Sequence, residues 1–238
     1  MRFALTKDQA DFRDSLDKLI GGSDPVGIAR AHAAGDAAPL EALRRRLSEQ
    51  GLDDLAEDAT PVEVAVAFEV LGRHAVPEAV AGTAGVRDDP ELATLATAAY
   101  LLGAGERVLA DAVAYVKQRR QFGREIGSYQ AIKHKLADVR IALDFARPLV
   151  FGAALAPTGS TEERSRAISA AKVQSADAAH LASRTGLQVH GAIGYTQELD
   201  LSIWITTIRE LQSAHGTLAF HRARILGSLL AGRADQDA

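Results

Sequence analysis

The chain has 238 residues, 47% of them hydrophobic and 24% charged, with a net charge of −4. It is long enough to bury a sizeable core as one domain or two, and its composition is that of an ordinary globular protein. No basic excess marks a nucleic-acid face, and the lack of cysteine excludes disulfides, thiolate metal sites and a cysteine nucleophile.

The first residues, Met1 to Asp8, lack the apolar stretch of a secretory signal, and charges interrupt every apolar run below membrane-spanning length. A cytoplasmic protein is expected, with neither membrane nor nucleic acid as partner. Thr6-Lys7-Asp8-Gln9 opens the first predicted helix as a capping box, a hydroxyl at the N-cap with glutamine three residues on. Apolar spacing places short helices near 7–20, 38–50 and 61–73, the last opened by Thr60-Pro61-Val62-Glu63, where proline at the first helical position lacks only an N–H that would go unused. The stretch from Ala79 to Asp89 holds Gly82, Gly85 and paired aspartates, and reads as a linker. It divides an N-terminal helical domain, 1–85, from a C-terminal domain, 86–238.

Asp89-Pro90-Glu91 opens a longer helix over 90–118. There Leu92, Leu95, Leu102, Leu109, Val113 and Val116 recur at the spacing of one buried face. Helices near 129–156 and 161–186 follow, the latter opened by Ser160-Thr161-Glu162-Glu163, then a broken helical region over 198–231 and a polar tail from Gly232 to Ala238 that is expected to fray. Alternating strand patterns bounded by turns are missing, so strands should be few or absent. The expected fold is all-α, a small helical unit followed by a four-helix bundle. No Glu-x-x-His pair occurs, which argues against a di-iron bundle, and the seven histidines are scattered, so no metal site is expected.

The chemistry concentrates between Tyr115 and Asp138. A helix ends in Lys117, Arg119 and Arg120, the chain turns at Gly123 and Gly127, and a second helix starts after Ser128. Cations at a helix C-terminus complement its dipole and glycines make tight turns, so the residue types alone demand no function. Their order, however, closely resembles the R-x-QFG-x-x-I-G-x-x-QA-x-x-H signature of acyl-CoA dehydrogenases, flavoenzymes that desaturate acyl-CoA thioesters between the α and β carbons. A second stretch, Gly186 to Glu198 with Gln188, Gly191, Gly194 and Tyr195, resembles that family's Q-x-x-GG-x-G-Y-x-x-E loop.

The resemblance implies an N-terminal helical domain, a middle β-barrel and a C-terminal four-helix bundle. Here Asp89-Pro90 opens the bundle almost directly after the N-terminal helices, so the barrel, which holds the flavin ring and lines the acyl-CoA cleft, is expected to be absent. What remains matches the half of the site that a bundle offers to its neighbour's flavin. By this resemblance Arg120 would pair with the FAD diphosphate, Phe122 would pack along the cofactor, and Gln130 would bond near its polar tail. Gln188 and Gly191 would bring amide and backbone close to the diphosphate, although the second glycine of that pair is Ala192.

Where many family members carry a glutamate base in E-G-T, this chain reads Ser213-Ala214-His215-Gly216-Thr217. The alternative base position on the first bundle helix is Ala93, with Glu91 two residues away; the arginine before the base reads Thr206, and Glu210 lies five residues before His215. No catalytic residue is therefore assigned. The pattern is similar to the degenerate subunits of bacterial α2β2 acyl-CoA dehydrogenases, notably those of steroid side-chain breakdown. It implies an auxiliary subunit that completes, in trans, the FAD site of a full-length partner acting on an acyl-CoA. The alternative is a helical scaffold or regulatory homo-oligomer that kept the fold without redox chemistry.

Overall fold

The computed structural model describes residues 4–77, 86–156, 160–196 and 198–234. Among them the chain is all-α apart from a single two-residue hairpin. The N-terminal helices are α1 (Lys7–Gly21), α2 (Pro25–Ala33), α3 (Ala38–Ser48), the single turn α4 (Leu55–Asp58) and α5 (Pro61–Arg73). Both expected capping boxes form, at Thr6 and at Thr60. They are also joined to each other, since the Gln9 side-chain amide donates to Glu63 at 2.7 Å. Helix α2 escapes apolar spacing; it starts from Asp24 in the left-handed region, φ 53°, with Pro25 at its first position.

The C-terminal helices are α6 (Pro90–Gln118), α7 (Gln130–Ala154), α8 (Thr161–His190), α9 (Leu201–Leu211) and α10 (Leu218–Ala234). Helix α6 opens on Asp89, whose carboxylate accepts from the Glu91 and Leu92 N–H groups, and α8 on a capping box at Ser160. Four of these helices run up-down-up-down. The C-terminal parts of α6 and α8 meet at Val116 and Val189, and Arg140 of α7 grips Glu106 of α6. Pairs Arg222–Asp177 and Arg166–Ser228 set α10 antiparallel to α8. The region expected as broken helix divides into α9 and α10 at a turn where His215 and Gly216 both have positive φ. Residues 79–85 of the expected linker, with the 85/86 boundary, lie outside the described residues, as does the end of the tail at 235–238; the rest of the linker forms a 3-10 turn, Val86–Asp88, and the cap Asp89.

Helix α6 was expected to bury one face, yet from Leu92 to Gly105 it is buried all round, because α5, α7, α8 and α9 pack on it from every side. Its crossing with α5 is a backbone contact. A methyl on Gly72 would lie 2.0 Å from the Tyr100 carbonyl oxygen, and one on Gly103 would lie 1.9 Å from that of Glu69. Only hydrogen at Cα allows this approach. Tyr100 then donates its hydroxyl to the Val76 carbonyl at 2.9 Å, and the Trp204 indole of α9 donates to the Gly72 and Arg73 carbonyls at the end of α5, 3.1 Å each. N-terminal helices and bundle thus share one core, which runs from Leu16 to Leu211.

A chain of ion pairs ties α5, α6 and α7 together at the edge of that core. Arg147 donates to Glu69 at 3.0 and 2.7 Å and to Glu106 at 3.3 Å; Arg140 donates to Glu106 at 2.6 and 2.7 Å. Burial raises the Glu106 carboxyl, but hydrogen bonds and charge from Arg140 and Arg147 outweigh it and hold the group below its ordinary range.

Candidate cofactor-binding end of the bundle

At Gln118 helix α6 stops and Arg119, extended at φ −72° and ψ 123°, leads into the hairpin. Strand β1 (Arg120–Gln121) pairs antiparallel with β2 (Arg124–Glu125), Arg120 opposite Glu125 and Gln121 opposite Arg124. The two connecting residues, Phe122 at φ 52° and Gly123 at φ 80°, both lie in the left-handed region, as a two-residue hairpin turn of matching twist needs. Glycine adopts it without cost, whereas a bulky side chain rarely does.

The hairpin is pinned at its base. The Ile126 N–H donates to the Arg119 carbonyl at 2.9 Å and the Ser128 hydroxyl to the Glu125 carbonyl at 2.7 Å. The Arg124 guanidinium lies 4.0 Å over the Tyr129 ring. Gly127 fits against the end of α6, where a methyl would come within 3.0 Å of the Val116 carbonyl. Beneath the hairpin, Ala112 and Val116 of α6 meet Val189 of α8, with Ile126, Ile132 and Leu136 closing over them. Tyr115 stacks on His190 with ring centroids 4.2 Å apart, and His190 Nδ1 bonds the Gly186 carbonyl at 2.8 Å. The two sequence motifs therefore meet at one end of the bundle.

The five residues singled out from sequence come to that end from three chain segments, and all are exposed. Arg120 donates one long bond, 3.4 Å, to the Gly123 carbonyl and has no ion-pair partner among the described residues. Phe122 is 91% exposed at the hairpin tip. Gln130 is the first residue of α7, whose N-terminus has no side-chain cap. Gln188 lies on the last turn of α8, and Gly191 follows that helix at φ 65° with nothing within 4 Å of where its methyl would be. The stretch expected to be a loop from Gly186 is helical as far as His190. A methyl on Gly186 would come within 2.9 Å of the Val108 side chain, so this glycine serves helix packing rather than a turn.

One residue of this end was passed over. Counted strictly on R-x-QFG, the leading arginine falls on Arg119, and Arg120 fills the variable place. Both are exposed, and the motif spacing alone would have found the first. Arg119, Arg120 and Arg124 beside the uncapped start of α7 make this an end suited to an anion.

The positions where the resemblance would put a base, and the acids near them, are placed differently. Ala93 is buried in α6, and Glu91 pairs with Arg224 at 2.5 Å instead of lying open at the helix start. Thr206 donates its hydroxyl to its own helix at the Ser202 carbonyl, 2.9 Å, and Glu210 is exposed on α9. His215 stands at φ 56° with its carbonyl accepting from His221.

The family model described as acyl-CoA dehydrogenase, C-terminal domain, matches residues 91–230. The acyl-CoA dehydrogenase IpdE2 of Mycobacterium tuberculosis is 37% identical over 132 residues, which are 54% of this chain and 38% of that protein. The structure of butyryl-CoA dehydrogenase from Megasphaera elsdenii superposes with a TM-score of 0.56 at 31% identity, covering 59% of this chain and 37% of the other. This chain thus spans well under half the length of both relatives. A chain in the ChsE4-ChsE5 complex of Mycobacterium tuberculosis superposes with a TM-score of 0.79 over 97% of this chain and 99% of its own, at 17% identity, a likeness of fold. No helix among the described residues is long and apolar enough to cross a membrane. The chain belongs to the acyl-CoA dehydrogenase family, carrying its C-terminal helical domain after N-terminal helices, with no β-domain between them among the described residues.

Proposed function

We propose that this chain is an auxiliary subunit of an FAD-dependent acyl-CoA dehydrogenase, completing in trans the flavin site of a full-length partner in an α2β2 assembly. The observation that carries the reading is the hairpin: Phe122 is held in the left-handed region and almost wholly exposed beside Arg120, which has no ion-pair partner among the described residues, an arrangement that suits docking against an anionic cofactor.

The residues present suit the anionic half of the cofactor and not its ring. Arg119 and Arg120 hold the diphosphate, and Phe122 lies along the cofactor. Gln130 and Gln188 offer amides to its polar tail, and the open space at Gly191 admits close backbone approach. When bound, the flavin accepts hydride during α,β-desaturation of the acyl-CoA; this chain's residues hold and orient, while the base and the ring pocket come from the partner. Support for a heteromer comes from the ChsE4-ChsE5 complex, whose name pairs two different proteins and one of whose chains matches this chain nearly end to end.

Purification from the native cell through a tag on this chain tests the reading. A yellow complex with acyl-CoA dehydrogenase activity is expected. In it, Arg119→Ala with Arg120→Ala should weaken flavin retention by about tenfold or more, the scale of one lost charge-assisted hydrogen bond. Equal flavin binding and turnover by that double variant would overturn the trans site. A colourless homo-oligomer that associates with no dehydrogenase would overturn the whole reading in favour of a scaffold.

A further inference from the structure

Away from the flavin end, the turn between α9 and α10 is fastened to the bundle by buried titratable side chains. Lys172 of α8 is fully buried and donates to the Leu211 carbonyl at the end of α9, 2.5 Å. Beyond it the backbone passes through His215 at φ 56° and Gly216 at φ 114°. His221 of α10, 1% exposed, lies against this turn, with Nε2 3.1 Å from the His215 carbonyl. A methyl on Gly216 would lie 2.8 Å from that Nε2 and 2.9 Å from the Phe220 ring, so the turn closes on the imidazole only because the residue is glycine.

The proton positions on this imidazole follow from its neighbours. Arg224 Nε can only donate, and it does so to the Ser169 hydroxyl oxygen at 2.6 Å. The His215 carbonyl can only accept, so the ring hydrogen sits on Nε2, and Nδ1 of the neutral ring is left to accept the Ser169 hydroxyl proton across 3.1 Å. Nδ1 accepts, Nε2 carries the hydrogen, and the ring donates it to the His215 carbonyl. Beyond Arg224 the network ends at Glu91 of α6.

We propose that His221 is a proton-operated latch, which holds the α9–α10 turn against the bundle while the ring is neutral and releases it when the ring takes up a proton. A second proton must enter at Nδ1, where Ser169 already points its own. The charged groups facing the ring are Lys172 from α8, Arg224 from α10 and Glu91 from α6, two cations against one carboxylate that Arg224 already engages. The bond to the His215 carbonyl would strengthen on protonation, but burial and then the Arg224 charge outweigh it and keep His221 below the ordinary histidine range. The protonated ring is better solvated outside. Once it leaves, Gly216 loses the surface it packs on.

The full-length chain tests this directly. Ring nitrogen shifts near neutral pH should show hydrogen on Nε2 of His221; hydrogen on Nδ1 would overturn the network. Amide protection over 212–221, corrected for the intrinsic dependence of exchange on pH, should fall about tenfold or more between about pH 7.5 and about pH 5. His221→Gln, whose amide donates to His215 without titrating, should keep its protection across that range. Ser169→Ala, which removes the partner that favours neutral Nδ1, should move the release to higher pH. Protection that is unchanged by acid in the unsubstituted chain, an acid loss that persists in His221→Gln, or a midpoint unmoved in Ser169→Ala would each sink the latch.

Discussion

At Phe122 the backbone holds a conformation that costs an L side chain about 1–2 kcal/mol, and the ring gains no burial in return, being 91% exposed. Such a balance separates stability from function at a single residue. Phe122→Gly should leave the isolated chain as stable or up to about 1 kcal/mol more stable in chemical denaturation, while weakening flavin retention in the complex proposed above. A clear loss of stability in the isolated variant would mean that the ring already packs on this chain. This residue also shows where reading the sequence reaches its end. The motif marks Phe122 as chemically important and Gly123 marks a turn, but a bulky aromatic at the first turn position breaks the rule for a two-residue hairpin, so the paired strands had no clear local signature. His221, Lys172 and Glu69 were silent for a related reason: their surroundings come from elements 39 or more residues away in the case of Lys172 and Ser169–His221, and periodicity reports only near neighbours.

Among the helices, the starts were the most legible feature. Capping boxes at Thr6, Thr60 and Ser160 and the aspartate before Pro90 open helices where expected, because a cap is a bargain struck within four residues. Helix ends were less so. Helix α8 runs to His190 because Gly186 packs on Val108 of α6, a tertiary contact that overrides glycine's weak helix propensity. The tie between elements has its own pH signature. Glu106 titrates below its ordinary value near 4.5 in the folded chain, so its contribution is present above that value and is lost as pH falls through the lower folded one. Urea midpoints should therefore drop as pH falls below about 4.5, and Glu106→Gln should be less stable at neutral pH with a shallower acid decline. An unaltered decline in that variant would assign acid sensitivity to other carboxylates.

For the molecule as a whole, the α5–α6 crossing decides how many parts it has. Gly103→Ala would drive a methyl into the Glu69 carbonyl and should destabilise by about 3 kcal/mol, the upper end for overpacking. Trp204, the one tryptophan, spans both halves through its bonds to Gly72 and Arg73. Its fluorescence and the helical circular dichroism should lose signal together in a single transition, whereas a tryptophan transition preceding the helical one would show the halves parting first.

That same crossing bears on how a member of this family can exist without its middle domain. Taking a whole domain out of a chain leaves two cut ends, and the remainder survives only if the flanking pieces cohere without it. Here the flanking pieces are α5 and α6, and their main chains already touch through Gly72 and Gly103, with Tyr100 and Trp204 bonded across the seam. The joint lets the flanking helices cohere without the middle layer, so a gene carrying it can lose that layer in one excision and still encode a folded protein.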